Sequence, residues 1–226
     1  MNKRINLYVC KGFTDKYEDT FSKVLDKFVK EFEGRGIIEK CEVFTQAEIE
    51  EAFDDHKNGK AARVLGESQL LLFITEEQGM EIEHRMKNFL QKVSIWCYTM
   101  PMLGKLGILV SVCNENELLI TTNYMTKLLL SWGSGVVGRL VLQNGKDNDI
   151  ELDRQIHSIA NKVIKACNDA SFEVSDSQMD NFSINQKVIK ELDDTDGLKR
   201  YWKKNKYLEA TDFQELFDSR LFGRSV

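Results

Sequence analysis

Leu70-Leu71-Leu72-Phe73-Ile74 and Leu106-Gly107-Ile108-Leu109-Val110-Ser111-Val112 are the two runs whose reading decides the fold. Neither alternates apolar with polar residues, as a strand with one wet face would. Both therefore read as strands buried on two faces, the habit of parallel sheets. Between them, residues 80–93 set apolar side chains at helical spacing, which predicts a crossover helix and hence a βαβ unit. Ligands of open parallel sheets sit where strands end and loops begin. Chemistry is thus expected at Thr75-Glu76-Glu77-Gln78-Gly79 and at Cys113-Asn114-Glu115-Asn116-Glu117.

Upstream of this unit, Ile5-Asn6-Leu7-Tyr8-Val9-Cys10 is β-prone and leads through a loop into a helix from about Thr20. That helix carries Phe21, Val24, Leu25, Phe28, Val29 and Phe32 on one stripe, and Gly34 and Gly36 stop it. A strand is predicted over 37–44. Thr45-Gln46-Ala47-Glu48 then has the form of a capping box, predicting a short helix through Phe53, with a helical turn at 61–65. Downstream, 115–132 reads as a helix, 136–142 as a strand and 150–167 as a helix. Five strands alternating with five helices make an α/β protein with a doubly wound parallel sheet. Composition shifts after residue 168, so the chain divides into a domain over 1–168 and a helical extension over 169–226. In the extension, polar residues 171–180 read as a linker before helices at 184–192, 196–205 and 213–221. So short a segment cannot build its own core and is expected to pack on the domain or on a second subunit.

The chain has 226 residues, 42% of them hydrophobic, enough for a full core. Its 31 Lys+Arg against 36 Asp+Glu give a net charge of -5, and no basic run interleaved with aromatics offsets it, which argues against nucleic acid as a partner. No apolar run approaches the roughly 18–20 residues of a membrane helix, and the first residues lead into a short strand rather than a signal-peptide core. A cytoplasmic protein without a membrane partner is expected. Its five cysteines, Cys10, Cys41, Cys97, Cys113 and Cys167, lie singly, so neither disulfides nor a metal centre is indicated. Cys113 at a strand end reads either as a reactive thiol or as a buried inert one. His56, His84 and His157 lack any nucleophile or ligand context. Residues 95–102 are rich in aromatic and Met side chains, and together with 86–89 they are the expected contact of a homodimer or higher homo-oligomer; the bland reading is that they cover the core.

Several functions use such sheets, so motifs must separate them. A response-regulator receiver needs acidic residues after strand one and a lysine after strand five; here those ends read Cys10-Lys11-Gly12 and Leu142-Gln143-Asn144. Neither GxGxxG nor GxxxxGK[ST] is present. What remains resembles the NAD(P)H-dependent FMN reductases of flavodoxin-like fold. Lys11-Gly12-Phe13-Thr14-Asp15-Lys16-Tyr17-Glu18-Asp19-Thr20 stands where that family has G-S-P-R-x-x-x-x-T. Met86-Lys87-Asn88-Phe89-Leu90-Gln91-Lys92 looks like its L-K-x-F-[IL]-D-R helix, and Leu103-Gly104-Lys105 like its x-x-G-K turn. The tail, Leu198 to Leu208 with Tyr201-Trp202-Lys203-Lys204-Asn205, resembles the Y-W-K-x-N-G-x-[LF] segment of clostridial-type members. The resemblance spans nearly the whole chain.

It implies a flavodoxin-like five-stranded parallel sheet of order 2-1-3-4-5 and FMN as cofactor. It further implies NAD(P)H as co-substrate and a small quinone-like or flavin acceptor. Carried over residue by residue, it assigns Lys11, Gly12, Thr14, Lys16 and Thr20 to the FMN phosphate, Thr75, Gln78 and Gly79 to the flank of the flavin ring, and Cys113, Asn114 and Asn116 to its edge. This chain departs from the family at Phe13, Thr14 and Asp15, where serine, proline and arginine are usual, and Glu18 and Asp19 add carboxylates. Those carboxylates equally suit a helix that caps itself. Glu76 and Glu77 would disfavour an anionic reduced flavin, or else open a solvated helix, and Asn114 and Asn116 also serve as N-caps. The departures leave a second reading, an accessory or interaction module of the same fold that has lost tight FMN binding. A third reading, an electron carrier that holds FMN without nicotinamide, is not separable from the first by sequence.

Overall fold

The computed structural model describes residues 5–12, 17–45, 68–78, 81–82, 87–88, 90–91, 93–113, 120–143 and 148–221. In chain order these form β1 (Ile5–Gly12), α1 (Glu18–Gly34), β2 (Ile38–Thr45), β3 (Leu70–Gln78) and β4 (Glu81–Ile82). There follow α2 (Trp96–Thr99), β5 (Leu106–Cys113), α3 (Ile120–Ser131), β6 (Gly135–Gln143), α4 (Asp149–Asp169), α5 (Asp176–Lys190), α6 (Gly197–Lys204) and α7 (Phe213–Arg220). The sheet runs β2-β1-β3-β5-β6, and every neighbouring pair on that path is parallel. Taken as the parallel strands in sequence, that is the doubly wound order 2-1-3-4-5.

Both apolar runs lie inside the sheet, β3 between β1 and β5, and β5 between β3 and β6. Because strand side chains alternate between faces, each run must be apolar throughout to fill two layers. Leu70, Leu72 and Ile74 join the core under α1 and α4, while Leu71 and Phe73 join the one under α2 and α3. Trp96 and Trp132 meet edge to face in the second core, 5.0 Å between centroids.

The crossover after β3 departs from expectation. Residues 75–78, read as a turn, continue β3, and Gln78 pairs antiparallel with Glu81 of the added strand β4. Hydrogen bonding explains the extension: β5 runs alongside as far as Cys113, so Thr75 and Glu76 find ladder partners at Ser111 and Val112. Lys87, Asn88, Leu90 and Gln91 are helical, as the periodicity predicts. The capping box expected from Thr45 falls on β2's last residue, and the helices expected through Phe53 and at 61–65 lie outside the described residues.

The extension is more ordered than its composition suggests. Residues 171–180, read as a linker, contain the start of α5, and the reason is local. Gln178, in the first turn, reaches back to accept the Ser175 amide at 3.2 Å, half of a capping box. Its amide nitrogen donates to the carbonyls of Leu130 and Ser134 at 3.2 and 3.1 Å, stitching α5 to the end of α3. Val174, Phe182, Trp202, Phe213 and Phe217 share one core cluster with the sheet. Trp202 Nε1 donates to Tyr98 O at 2.7 Å, and Asn185 Nδ2 to Cys97 O at 3.3 Å. Within the 95–102 segment Trp96, Met100 and Met102 are buried, whereas Ile95 and Tyr98 stay exposed.

Gly104 shows why the turn before β5 needs glycine. Its φ is +74°, and a Cβ there would lie 2.5 Å from the backbone carbon of Arg220, so tail and turn touch main chain to main chain. Next to it, Lys105 is partly buried and donates to Ser68 O at 2.6 Å. Burial lowers its pKa to about 8. An unfolded lysine titrates near 10.4, so between pH 8 and about 10 the unfolded chain binds more protons at this site, and stability rises with pH across that window. Relative to Lys105→Met, the wild type is expected to gain about 1–2 kcal/mol from pH 8 to pH 10, read by urea denaturation at each pH. Burial also raises the pKa of Tyr201 and Tyr207, which oppose the trend only above pH 10, where unfolded tyrosine ionises.

Candidate functional site

Parallel strands end on a common edge, and here the register fixes which residues meet there. Gly12 of β1 stands opposite Thr75 of β3, which stands opposite Ser111 of β5; Lys11 lies one step back, opposite Ile74. Cys113 ends β5 opposite Gln143. Connections leave β1 and β3 toward opposite sides of the sheet, because β1 is followed by β2 on one flank and β3 by β5 on the other. This is the switch point at which doubly wound sheets open a crevice.

Of the residues read from sequence, Lys11, Gly12, Thr75 and Cys113 are brought to this edge. Thr20 is half-buried in the first turn of α1, the helix that follows β1. Gln78 is displaced from the expected turn into the pairing with β4. Thr14, Lys16, Gly79, Asn114 and Asn116 lie outside the described residues.

At α1's start, Tyr17 occupies the N-cap position, is buried, and makes no side-chain cap bond. Glu18 and Asp19 follow in the first turn. The carboxylates thus do not occupy the cap position itself, but inside the first turn they still favour the helix dipole. A helix N-terminus of this kind offers backbone N–H donors and about half a positive charge to an anion, while two nearby carboxylates oppose it. The solvated-helix reading of Glu76 fails: Thr75 is 1% and Glu76 3% exposed, both within β3. Cys113 is buried, its Sγ 3.5 Å from Leu142 O, which favours the inert-thiol reading.

Sequence reasoning missed a group of buried hydroxyls behind this edge. Ser111 Oγ and Thr122 Oγ1 are 2.7 Å apart and tie β5 to α3; Thr126 Oγ1 donates to Thr122 O at 2.7 Å. Thr121, fully buried in the first turn of α3, has an Oγ1 with no hydrogen-bond partner among the described residues. The available signal was a serine inside an otherwise apolar strand and a Thr-Thr pair opening a helix. Such an orphan costs folding energy unless a ligand completes it. Thr121→Val is expected to leave stability unchanged or raise it by up to about 1 kcal/mol in urea denaturation. A larger loss would mean that the hydroxyl is already satisfied.

The donor set available to a flavin phosphate is thus backbone N–H groups at α1, the Thr20 hydroxyl and the edge at Lys11–Gly12. Its chemistry fits the phosphate of FMN. Among the described residues no cluster of His, Cys, Asp or Glu could hold a metal ion, and no helix is long and apolar enough to cross a membrane.

No protein-family model matches the chain, and no curated protein matches it in sequence. Solved structures do match it in shape. An NADH:FMN oxidoreductase in its apo form superposes with a TM-score of 0.58 at 13% identity, over 77% of this chain and 93% of that one. An oxidoreductase from Corynebacterium diphtheriae gives 0.57 at 13% identity, over 75% and 99%. A flavodoxin of Streptococcus pneumoniae TIGR4 gives 0.51 at 12% identity, over 71% and 98%. Identities this low speak to architecture and not to activity. Strand order, switch point and these neighbours together establish that the chain has the flavodoxin-like fold.

Proposed function

We propose that the protein is an FMN-dependent oxidoreductase that takes electrons from NAD(P)H and delivers them to a small quinone-like or flavin acceptor. The observation that supports this reading is the switch-point edge, where Gly12 and Thr75 lie side by side at the ends of β1 and β3 and α1 is the next described element after β1. The neighbours in shape include an NADH:FMN oxidoreductase and flavodoxins, which supports a flavin ligand. The amides opening α1 would donate to the phosphate, the Thr20 hydroxyl would add a bond, and Gly12 would let the main chain approach without a Cβ. Lys11 and Lys16 would offset the charge of Glu18 and Asp19. Thr75 and the Cys113 end of β5 would border the ring. Bound FMN supplies the redox chemistry, and the chain supplies position and electrostatics.

The second reading, a non-catalytic module of the same fold, draws on one structural feature, the carboxylates of Glu18 and Asp19 in the first turn of α1. Visible absorption separates the two. The enzyme reading expects oxidised flavin in the purified protein or after FMN addition and desalting, followed by bleaching with NADH or NADPH. A protein that stays colourless with excess FMN supports the module. One that holds flavin but is not reduced by either nucleotide is an electron carrier.

A further inference from the structure

A concavity lies at the opposite edge of the sheet from the switch point. It is bounded by α2, which precedes β5, by the last residues of α3, which precede β6, and by α5 and α7 of the tail. Its volume is about 190 Å³. That is too small for a nucleotide and large enough for one six-membered ring with a substituent, by comparison with an engineered pocket of roughly 150 Å³ that holds benzene.

The lining has two characters. Phe182 and Phe213, 5.2 Å between ring centroids, form an aromatic wall that Trp202 backs by stacking on Phe182 at 5.5 Å. Neutral polar groups flank that wall, Gln178, Asn181 and Asn185 being on the same helix as Phe182. Asn185 spends one N–H on Cys97 O, which leaves its amide oxygen as an acceptor, and the Asn181 amide makes no hydrogen bond among the described residues. Gln178, Ser131 and Cys97 are already engaged, Gln178 with Leu130 and Ser134, Ser131 with Leu128 O, and Cys97 Sγ at 3.4 Å from Ser131 Oγ. Among the described residues no Asp, Glu, His, Lys or Arg lines the cavity. A charged ligand would therefore lose its hydration without compensation. A neutral ring has aromatic faces to stack on.

We propose that this cavity binds a neutral single-ring ligand bearing a carboxamide or lactam edge, whose N–H and C=O pair with the amides of Asn181 and Asn185 while its ring packs between Phe182, Phe213 and Tyr98. The site is independent of the flavin reading, because the sheet itself separates the two edges.

Benzamide is the probe, titrated into the ¹⁵N-labelled full chain while the side-chain NH₂ signals of Asn181 and Asn185 are followed by NMR. Saturable shifts at about millimolar benzamide are expected, the affinity natural to so few heavy atoms. Benzoate, of the same shape but charged, should bind at least about tenfold more weakly. Asn181 is exposed, so Asn181→Trp should fold and, by filling the mouth, abolish the response at Asn185; Asn181→Ala should weaken it several-fold. Absence of saturable shifts, equal binding of benzoate, or a response at Asn185 that survives Asn181→Trp would each overturn the proposal.

Discussion

Replacing Trp202 with alanine is expected to lower the melting temperature by about 10 °C, corresponding to a loss of about 3–5 kcal/mol. Trp202 is fully buried although it belongs to the tail, stacks on Phe182 and meets Tyr207 edge to face at 5.4 Å. Alanine removes the largest ring of that cluster and strands the Tyr98 carbonyl, which accepts the Nε1 proton. Trp202→Phe should recover much of the packing but not the bond, so it is expected to cost about 1–3 kcal/mol. Calorimetry on both variants separates the two contributions. A single cooperative transition that moves by less than about 3 °C in Trp202→Ala would show that the tail is not part of the cooperative unit.

FMN affinity is expected to rise by roughly 10- to 100-fold in Asp15→Arg, which takes the flavin reading as its premise. Asp15 lies outside the described residues, but the chain places it between Gly12, at the end of β1, and the N-terminus of α1. A carboxylate there repels a phosphate dianion. An arginine would offer a bidentate, charge-assisted contact, each such bond contributing on the order of 1.5–3 kcal/mol. Quenching of FMN fluorescence, titrated against both proteins at fixed ionic strength, reads the difference. Tight wild-type binding that the substitution leaves unchanged or weakens would place the phosphate elsewhere.

By itself the sequence determined the class and the winding. Two runs with no polar face demanded a sheet covered on both sides, and helical stripes such as Phe21-Val24-Phe28-Phe32 supplied the covers, because burial acts on every residue of those elements at once. It also marked the edge where Lys11, Gly12 and Thr75 meet, since a doubly wound order dictates where parallel strands end together. Only the tertiary structure decided what happens beyond the apolar runs. Thr75 to Gln78 look like a turn, yet they stay in the sheet because β5 and β4 offer ladder partners, a property of neighbours distant in sequence. The polar 171–180 segment looks like a linker, yet it opens α5 because Gln178 can satisfy carbonyls of Leu130 and Ser134. In each case a local pattern was outweighed by hydrogen bonds and packing that exist only once distant parts of the chain have come together.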